Sequence, residues 1–150
     1  VDVGSGQLNE VLRDDPRVTC IERVNARNMT LEDVLPALAE SAAGVQFDGF
    51  DLMVGDLAFI SQTLVLPAAV PMLKPGGQVL MLVKPQFELQ PGQVGKGGIV
   101  TDASMFALVE RRIRDAHRAL GLQVQAYFAS SIQGGDGNQE FFIHSIRAQE

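Results

Sequence analysis

The chain has 150 residues, 46% hydrophobic and 20% charged, with a formal net charge of −6. That length suits one globular domain, which buries roughly 70% of its unfolded surface. The acidic balance argues against gripping a nucleic acid by charge alone, since phosphate binding needs clustered Lys and Arg, and no apolar run approaches the roughly 20 residues that span a bilayer.

In chain order, Val1–Val3 reads as the tail of a strand running into Gly4-Ser5-Gly6. The chain opens without an initiating Met, so the expectation is that a segment upstream of Val1 is missing. Gln7–Arg13 is expected as a short helix ended by the Asp14-Asp15-Pro16 turn, and Val18–Glu22 as a second strand. The single cysteine, Cys20, excludes an internal disulfide and a multi-cysteine metal site, fits a reducing cytoplasm, and reads as a core residue in VTCI. Thr30 is a natural N-cap for a helix over Leu31–Ser41, with Glu32 and Asp33 in the first turn favouring the helix dipole.

Asp51–Gly55 follows as a buried strand, then a helix over about Ile60–Leu73 that tolerates Pro67 and Pro71 only with a kink or an early end. Lys74-Pro75-Gly76-Gly77 predicts a tight turn into Gln78–Lys84, the most strand-like run of the chain. Pro85–Thr101 has no apolar periodicity and holds Gly92, Gly95, Gly97 and Gly98, which predicts a loop without structure of its own, serving as a mobile element on the substrate side. Its Gly95-Lys96-Gly97-Gly98 lacks the spacing of a phosphate-binding loop. Asp102 or Ser104 caps a helix reaching about Leu120, Gly121 is its C-terminal glycine, and Leu122–Phe128 and Glu140–Ile146 are the last two strands. On that helix Arg111, Arg112, Arg114 and Arg118 form either a solvated face balanced by Glu110 and Asp115 or an RNA-facing patch. His117 and His144 stand far apart with no ligand spacing, so no metal site is expected.

Alternating strands and helices indicate a mostly parallel α/β sheet with helices on both faces. In such a sheet ligands bind at the carboxyl ends of the strands. Asp56 ends FDLMVGD and Lys84 ends QVLMLVK there. Glu140 opens EFFIHSI and reaches the same edge only if the last strand runs antiparallel. A charged group closing an apolar strand is costly to bury without a partner. Asp56 and Lys84 therefore form either a structural salt bridge or a site in which Lys84 positions or deprotonates a hydroxyl. An unperturbed lysine pKa of about 10.4 must be lowered for the latter role as a base. Asp2, at a strand tip, can accept both hydroxyls of a ribose or simply serve a turn. Asn25 can meet an adenine edge or act as a local cap.

Together VDVG, ERVNAR, VGDLAFISQTLVLP, LKPGG, LVKPQFE, VGKGG and GNQEFFIH resemble the hemolysin A-like ribosomal RNA methyltransferases, a branch of the FtsJ-like 2′-O-methyltransferases. The resemblance implies a Rossmann-like, S-adenosylmethionine-dependent sheet with an antiparallel last strand, here lacking its first strand and glycine-rich loop. It implies a partial FtsJ-like domain over residues 1–150, with a preceding basic RNA-binding domain absent, and a cytoplasmic enzyme acting on ribosomal RNA or a ribosomal subunit, without metal and without stable membrane insertion. Of the family's Lys-Asp-Lys-Glu catalytic set, Asp56, Lys84 and Glu140 match the last three members, and the first lysine has no counterpart. Lys84 would activate the ribose 2′-hydroxyl while Asp56 and Glu140 orient it. The cofactor would be held by Asp2 and Val3, by Asn25 with Ala26 beside the adenine, and by Asp56. Two other readings stay open: a non-catalytic RNA- or partner-binding module, and a membrane-active hemolysin, although no amphipathic helix with a strongly basic face is evident.

Overall fold

The computed structural model describes residues 1–41, 44 and 46–149. Four strands, β1 (Phe50–Gly55), β2 (Leu73–Val83), β3 (Leu122–Ala129) and β4 (Phe141–Arg147), form one sheet in the order β1-β2-β4-β3. β1 and β2 are parallel, and β4 runs antiparallel to both β2 and β3. This is the orientation that brings Glu140 to the carboxyl edge of β1 and β2. The helices are α1 (Glu10–Arg13), α2 (Leu31–Ser41), α3 (Gln62–Ala69), α4 (Pro85–Glu88) and α5 (Ala103–Ala119).

Period two along β2 turns Val79, Met81 and Val83 to one face, all at most 2% exposed, where they meet Leu66 and Val70 from the α3 region and Val109 and Ile113 from α5. α5 is capped by Asp102, whose Oδ1 accepts from Ser104 N at 2.8 Å. It presents Val109, Ile113 and His117 at four-residue intervals to the sheet, and ends at Gly121, which holds φ +75° as a helix-terminating glycine can. Its arginines serve the scaffold: Arg112 donates to the Glu88 carbonyl at 2.7 Å, Arg114 pairs with Glu110 and lies over the Tyr127 ring, and Arg118 pairs with Asp115. Arg111 is exposed.

α3 takes the early end that its prolines allow, tightening into a 3₁₀ turn over Val70–Met72. Arg147 donates to the Val70, Pro71 and Leu73 carbonyls at the end of this turn, where Leu73 N also bonds back to the Val70 carbonyl. α2 matches its expected span, with Thr30 N and Oγ1 both donating to Asp33 Oδ2.

One expectation of burial changes: β1, expected as a buried strand, is the edge of the sheet, with Leu52 55% and Val54 66% exposed. Three expectations of chain path change as well. The turn at Lys74–Gly77 lies inside β2 as an irregularity: Phe50 pairs with Leu73 and Leu52 with Gln78, so the intervening residues loop out of register. Gly77 is required there, because a Cβ would come within 2.8 Å of the Lys74 carbonyl and 3.1 Å of the Phe50 carbonyl. Val18–Glu22 forms no strand ladder. Its end and the two residues after it are tied to the opening segment by three backbone bonds, Asp2 N to Ile21 O, Arg23 N to Gly4 O and Val24 N to Asp2 O. That pair stands apart from the sheet, and a cleft of about 380 Å³ separates Val1 from Leu52 and Val54 of β1. Cys20 is only partly buried there, its thiol 3.7 Å from Glu22 Oε1.

The third change is Pro85–Thr101, which is built from α4 and two 3₁₀ turns, Pro91–Gln93 and Lys96–Gly98. Such turns are too short to show apolar periodicity. Pro85, Glu88, Leu89 and Val100 are buried, which anchors the segment at both ends.

Candidate active site

Lys84 follows β2 directly and Asp56 follows β1, its parallel neighbour, so the pairing of the two strands sets their tips side by side. Lys84 Nζ lies 2.6 Å from Asp56 Oδ1. The lysine side chain is 17% exposed and the aspartate 68%, so the pair is buried on one side and open on the other. Glu140 stands just before β4, whose Phe141 pairs with Val83, and is 8% exposed. Burial pushes its carboxyl above the ordinary carboxylate range; the Lys84 charge pulls it back, while Asp56 and Asp136 push it further up. The structure therefore gathers Asp56, Lys84 and Glu140 into one electrostatic cluster.

The expected cofactor residues Asp2, Val3, Asn25, Ala26 and Asp56 all line one cleft of about 520 Å³, in the range of small-molecule sites. Asp2 Oδ1 accepts from Gly4 N at 2.7 Å. A carboxylate has about four acceptor positions, so most of its capacity remains for ligand hydroxyls. Asn25 Oδ1 accepts from Arg27 N at 3.0 Å, the local cap, and the residue still borders the cleft. Leu57, Ala58 and Ile60 supply an apolar wall beside these polar groups. An acid able to take paired hydroxyls, an apolar wall and the edge of the Lys84 cluster suit S-adenosylmethionine, with its ribose, adenine and sulfonium.

Phe59 also borders this cleft. It is 90% exposed and holds φ +61°, a left-handed conformation uncommon for an aromatic residue. Its ring lies 5.0 Å from that of Phe87.

Sequence reasoning missed four residues around the cluster. Asp136 adds a third acid whose charge is felt by both Lys84 and Glu140, and its own carboxyl is held below the usual range by bonds from Asn138. Within GGDGN it reads as ordinary turn chemistry. Gln86 Nε2 donates to Asp136 Oδ2 at 3.4 Å. Asn138, 1% exposed, fastens the Lys96–Gly98 turn to the segment bearing Glu140: its Nδ2 donates to Gly98 O at 2.9 Å and its Oδ1 accepts from Val100 N at 2.9 Å. Glu88, 7% exposed, accepts from Gln62 N at 2.9 Å and from the Ser61 hydroxyl. The one available signal was its place, an acid in the apolar run after Lys84 that needs a partner once buried. Gly134 earns its identity by space, since a Cβ there would run into the Glu140 carboxylate.

The family model for FtsJ-like methyltransferases matches residues 1–147. The 16S/23S rRNA (cytidine-2′-O)-methyltransferase TlyA of Mycobacterium tuberculosis is 42% identical over 142 residues, which is 95% of this chain and 48% of that protein. Hemolysin A of Brachyspira hyodysenteriae is 33% identical, over 97% of this chain and 56% of its own length. A crystal structure of a Lactococcus lactis protein that bears the hemolysin name superposes with a TM-score of 0.85 at 33% identity, covering 99% of this chain and 66% of that one. The chain thus spans about half the length of the curated relatives it matches.

Proposed function

Because the chain belongs to the FtsJ-like methyltransferase family, we propose that it carries the catalytic centre of an enzyme that methylates a ribose 2′-hydroxyl of ribosomal RNA in the cytoplasm, with S-adenosylmethionine as methyl donor. One observation carries the reading. Asp56 belongs to two places at once, the wall of the cleft that holds Asp2 and Asn25 and the ion pair with Lys84. A group bound in the cleft is thereby set against the Lys84 cluster. The rRNA activity in the name of the TlyA relative supports the choice of substrate.

When bound, S-adenosylmethionine supplies an electrophilic methyl group on a sulfonium. The chain's own residues then have positioning to do, and orienting two reactants correctly accounts for a large part of such a barrier. Lys84 spends one N–H on Asp56 and has two left for the oxygen of an incoming hydroxyl. Asp56 and Glu140 fix its direction from two sides. For the transfer, Lys84 gives the proton of that N–H to Asp56, which solvent reaches, and the lone pair this frees takes the hydroxyl proton as the oxygen bonds to the methyl group. Asp2 receives the cofactor ribose, and Asn25 with Ala26 borders the adenine. The exposed Phe59 ring offers a stacking surface for a nucleotide base.

Lys84→Ala tests the assignment. Methyl transfer to ribosomal RNA should fall about 10²- to 10⁴-fold, with the calorimetric affinity for S-adenosylmethionine unchanged. Retained transfer would remove Lys84 from the mechanism. Loss of cofactor binding in the same variant would move it into the cofactor site.

A further inference from the structure

The turn that begins at Lys84 meets the segment that begins at Asp56 at three successive points. Lys84 pairs with Asp56, the Phe87 ring lies against Phe59, and the Glu88 carboxylate takes Gln62 N and the Ser61 hydroxyl. The turn is closed on itself by Phe87 N donating to the Lys84 carbonyl at 2.9 Å, so the three side chains move as a unit. On the other side, Ser61 is the N-cap of α3, its hydroxyl oxygen accepting from Thr63 N at 3.1 Å. Residues 57–60 are thus strung between the ion pair and the Glu88 anchor.

Glu88 is buried where an unpartnered carboxylate would be costly, and both of its oxygens are occupied by this one segment. Arg112, from α5, donates to its backbone carbonyl, and the same guanidinium charge favours the ionised carboxylate. The hydrogen bonds of the Glu88 side chain all go to the start of α3, which they hold against the Lys84 turn. We propose that Glu88 is a positioning residue for methyl transfer, fixing the segment that carries Asp56 in register with Lys84. The proposal rests on the reading of Asp56 and Lys84 given above. Glu88 acts through them and touches neither the cofactor nor the reacting oxygen.

The test compares Glu88→Gln with wild-type full-length protein by steady-state methylation of ribosomal RNA and by amide hydrogen exchange. The amide variant still offers Gln62 N one acceptor but no longer accepts from Ser61. A misplacement of about 1 Å at the reacting groups can cost roughly 10²-fold, so kcat should fall between about 10- and 100-fold. KM for S-adenosylmethionine should rise by a smaller factor than kcat falls, because Asp2 and Asn25 on the other wall of the cleft are not tied to Glu88, and the Gln62 amide should exchange faster. If Glu88→Gln does not fold, Ser61→Ala, which leaves the carboxylate in place, should give a smaller loss of kcat with the same excess of kcat loss over KM rise. An unchanged kcat in a folded variant overturns the proposal, as does a loss confined to KM. Failure of the wild-type protein to methylate RNA would strike down the underlying reading instead, and no comparison of variants can produce that result.

Discussion

Lys84 and Asp2 each stand at the tip of an extended segment, yet the two tips are held by different means. Lys84 ends a strand that is hydrogen-bonded on both sides, to β1 and to β4, and whose last residue, Val83, is fully buried. Asp2 sits in a segment held by three backbone bonds to one neighbour, flanked by Val1 at 62% and Val3 at 69% exposure. The position of Lys84 is therefore a property of the whole sheet, lost only when the sheet opens. The position of Asp2 is local and opens at much smaller cost, as segments with few buried contacts do. The proposed chemistry, which demands precise geometry, is on the rigid side, and the proposed ligand contact is on the pliant one.

The strongest way to break that contrast is to damage the core beneath Lys84. Ile113 is fully buried between α5 and the sheet. Ile113→Ala should cost about 2–5 kcal/mol of stability in denaturant titration. Amide protection should fall across β2 and β4 and change little over residues 1–24, which are held by a few local backbone bonds. A uniform fall over both regions would show that they open together.

His117 gives a second handle on the same core. It is fully buried, and its ring bridges Ser145 Oγ at 2.8 Å and Gln62 Oε1 at 3.0 Å. Gln62 Nε2 donates to the Leu82 carbonyl, so Oε1 faces the ring. The neutral tautomer with its proton on Nε2 then satisfies every group, with Nδ1 accepting from Ser145. Burial lowers the His117 pKa from 6.5 to about 4. Below pH 6.5 the unfolded chain binds a proton that the folded chain refuses, so stability is full above that pH and is lost as pH falls towards 4. The loss is on the order of 3 kcal/mol. Glu88 and Glu140, whose carboxyls are raised by burial, act in the opposite sense, because the folded chain takes up their protons first. The clean measurement is therefore the difference in slope between wild type and His117→Gln over that window. Equal slopes would mean that His117 charges without unfolding the core.

The rigid side was the legible side. Helix α5 and strands β2, β3 and β4 announce themselves by cap, period and terminal glycine, and Asp56 and Lys84 by the cost of ending apolar strands with charge. The antiparallel direction of β4 was implied by the family resemblance, and it is the direction that lets Glu140 reach the common edge. What escaped has a common physical cause. Asp136, Asn138 and Glu88 act through contacts between segments more than 20 residues apart, such as Gln86 with Asp136, Val100 with Asn138 and Gln62 with Glu88, and no local pattern encodes such a meeting. The helical turns after Lys84 are shorter than any period that could reveal them. Strand propensity over Val18–Glu22 was real but insufficient, because a ladder needs a neighbour as well as a propensity.

The pliant side is sharpened by a smaller change. Asp2 is exposed and its side chain has one structural bond, from Gly4 N, which Asn at the same position can still accept, while its backbone bonds to Ile21 and Val24 are untouched. Asp2→Asn removes the charge and half of the acceptor capacity that a ribose would use. A hydrogen bond to a charged group is worth about 1.5–3 kcal/mol, so affinity for S-adenosylmethionine should fall about ten- to a hundredfold. The thermal midpoint should not move, because the segment contributes little to the core. That combination, binding lost without stability, is the inverse of the outcome for Ile113→Ala. A midpoint that fell together with affinity would mean that residues 1–24 are welded to the sheet after all, and that the Asp2 tip is built like the Lys84 tip.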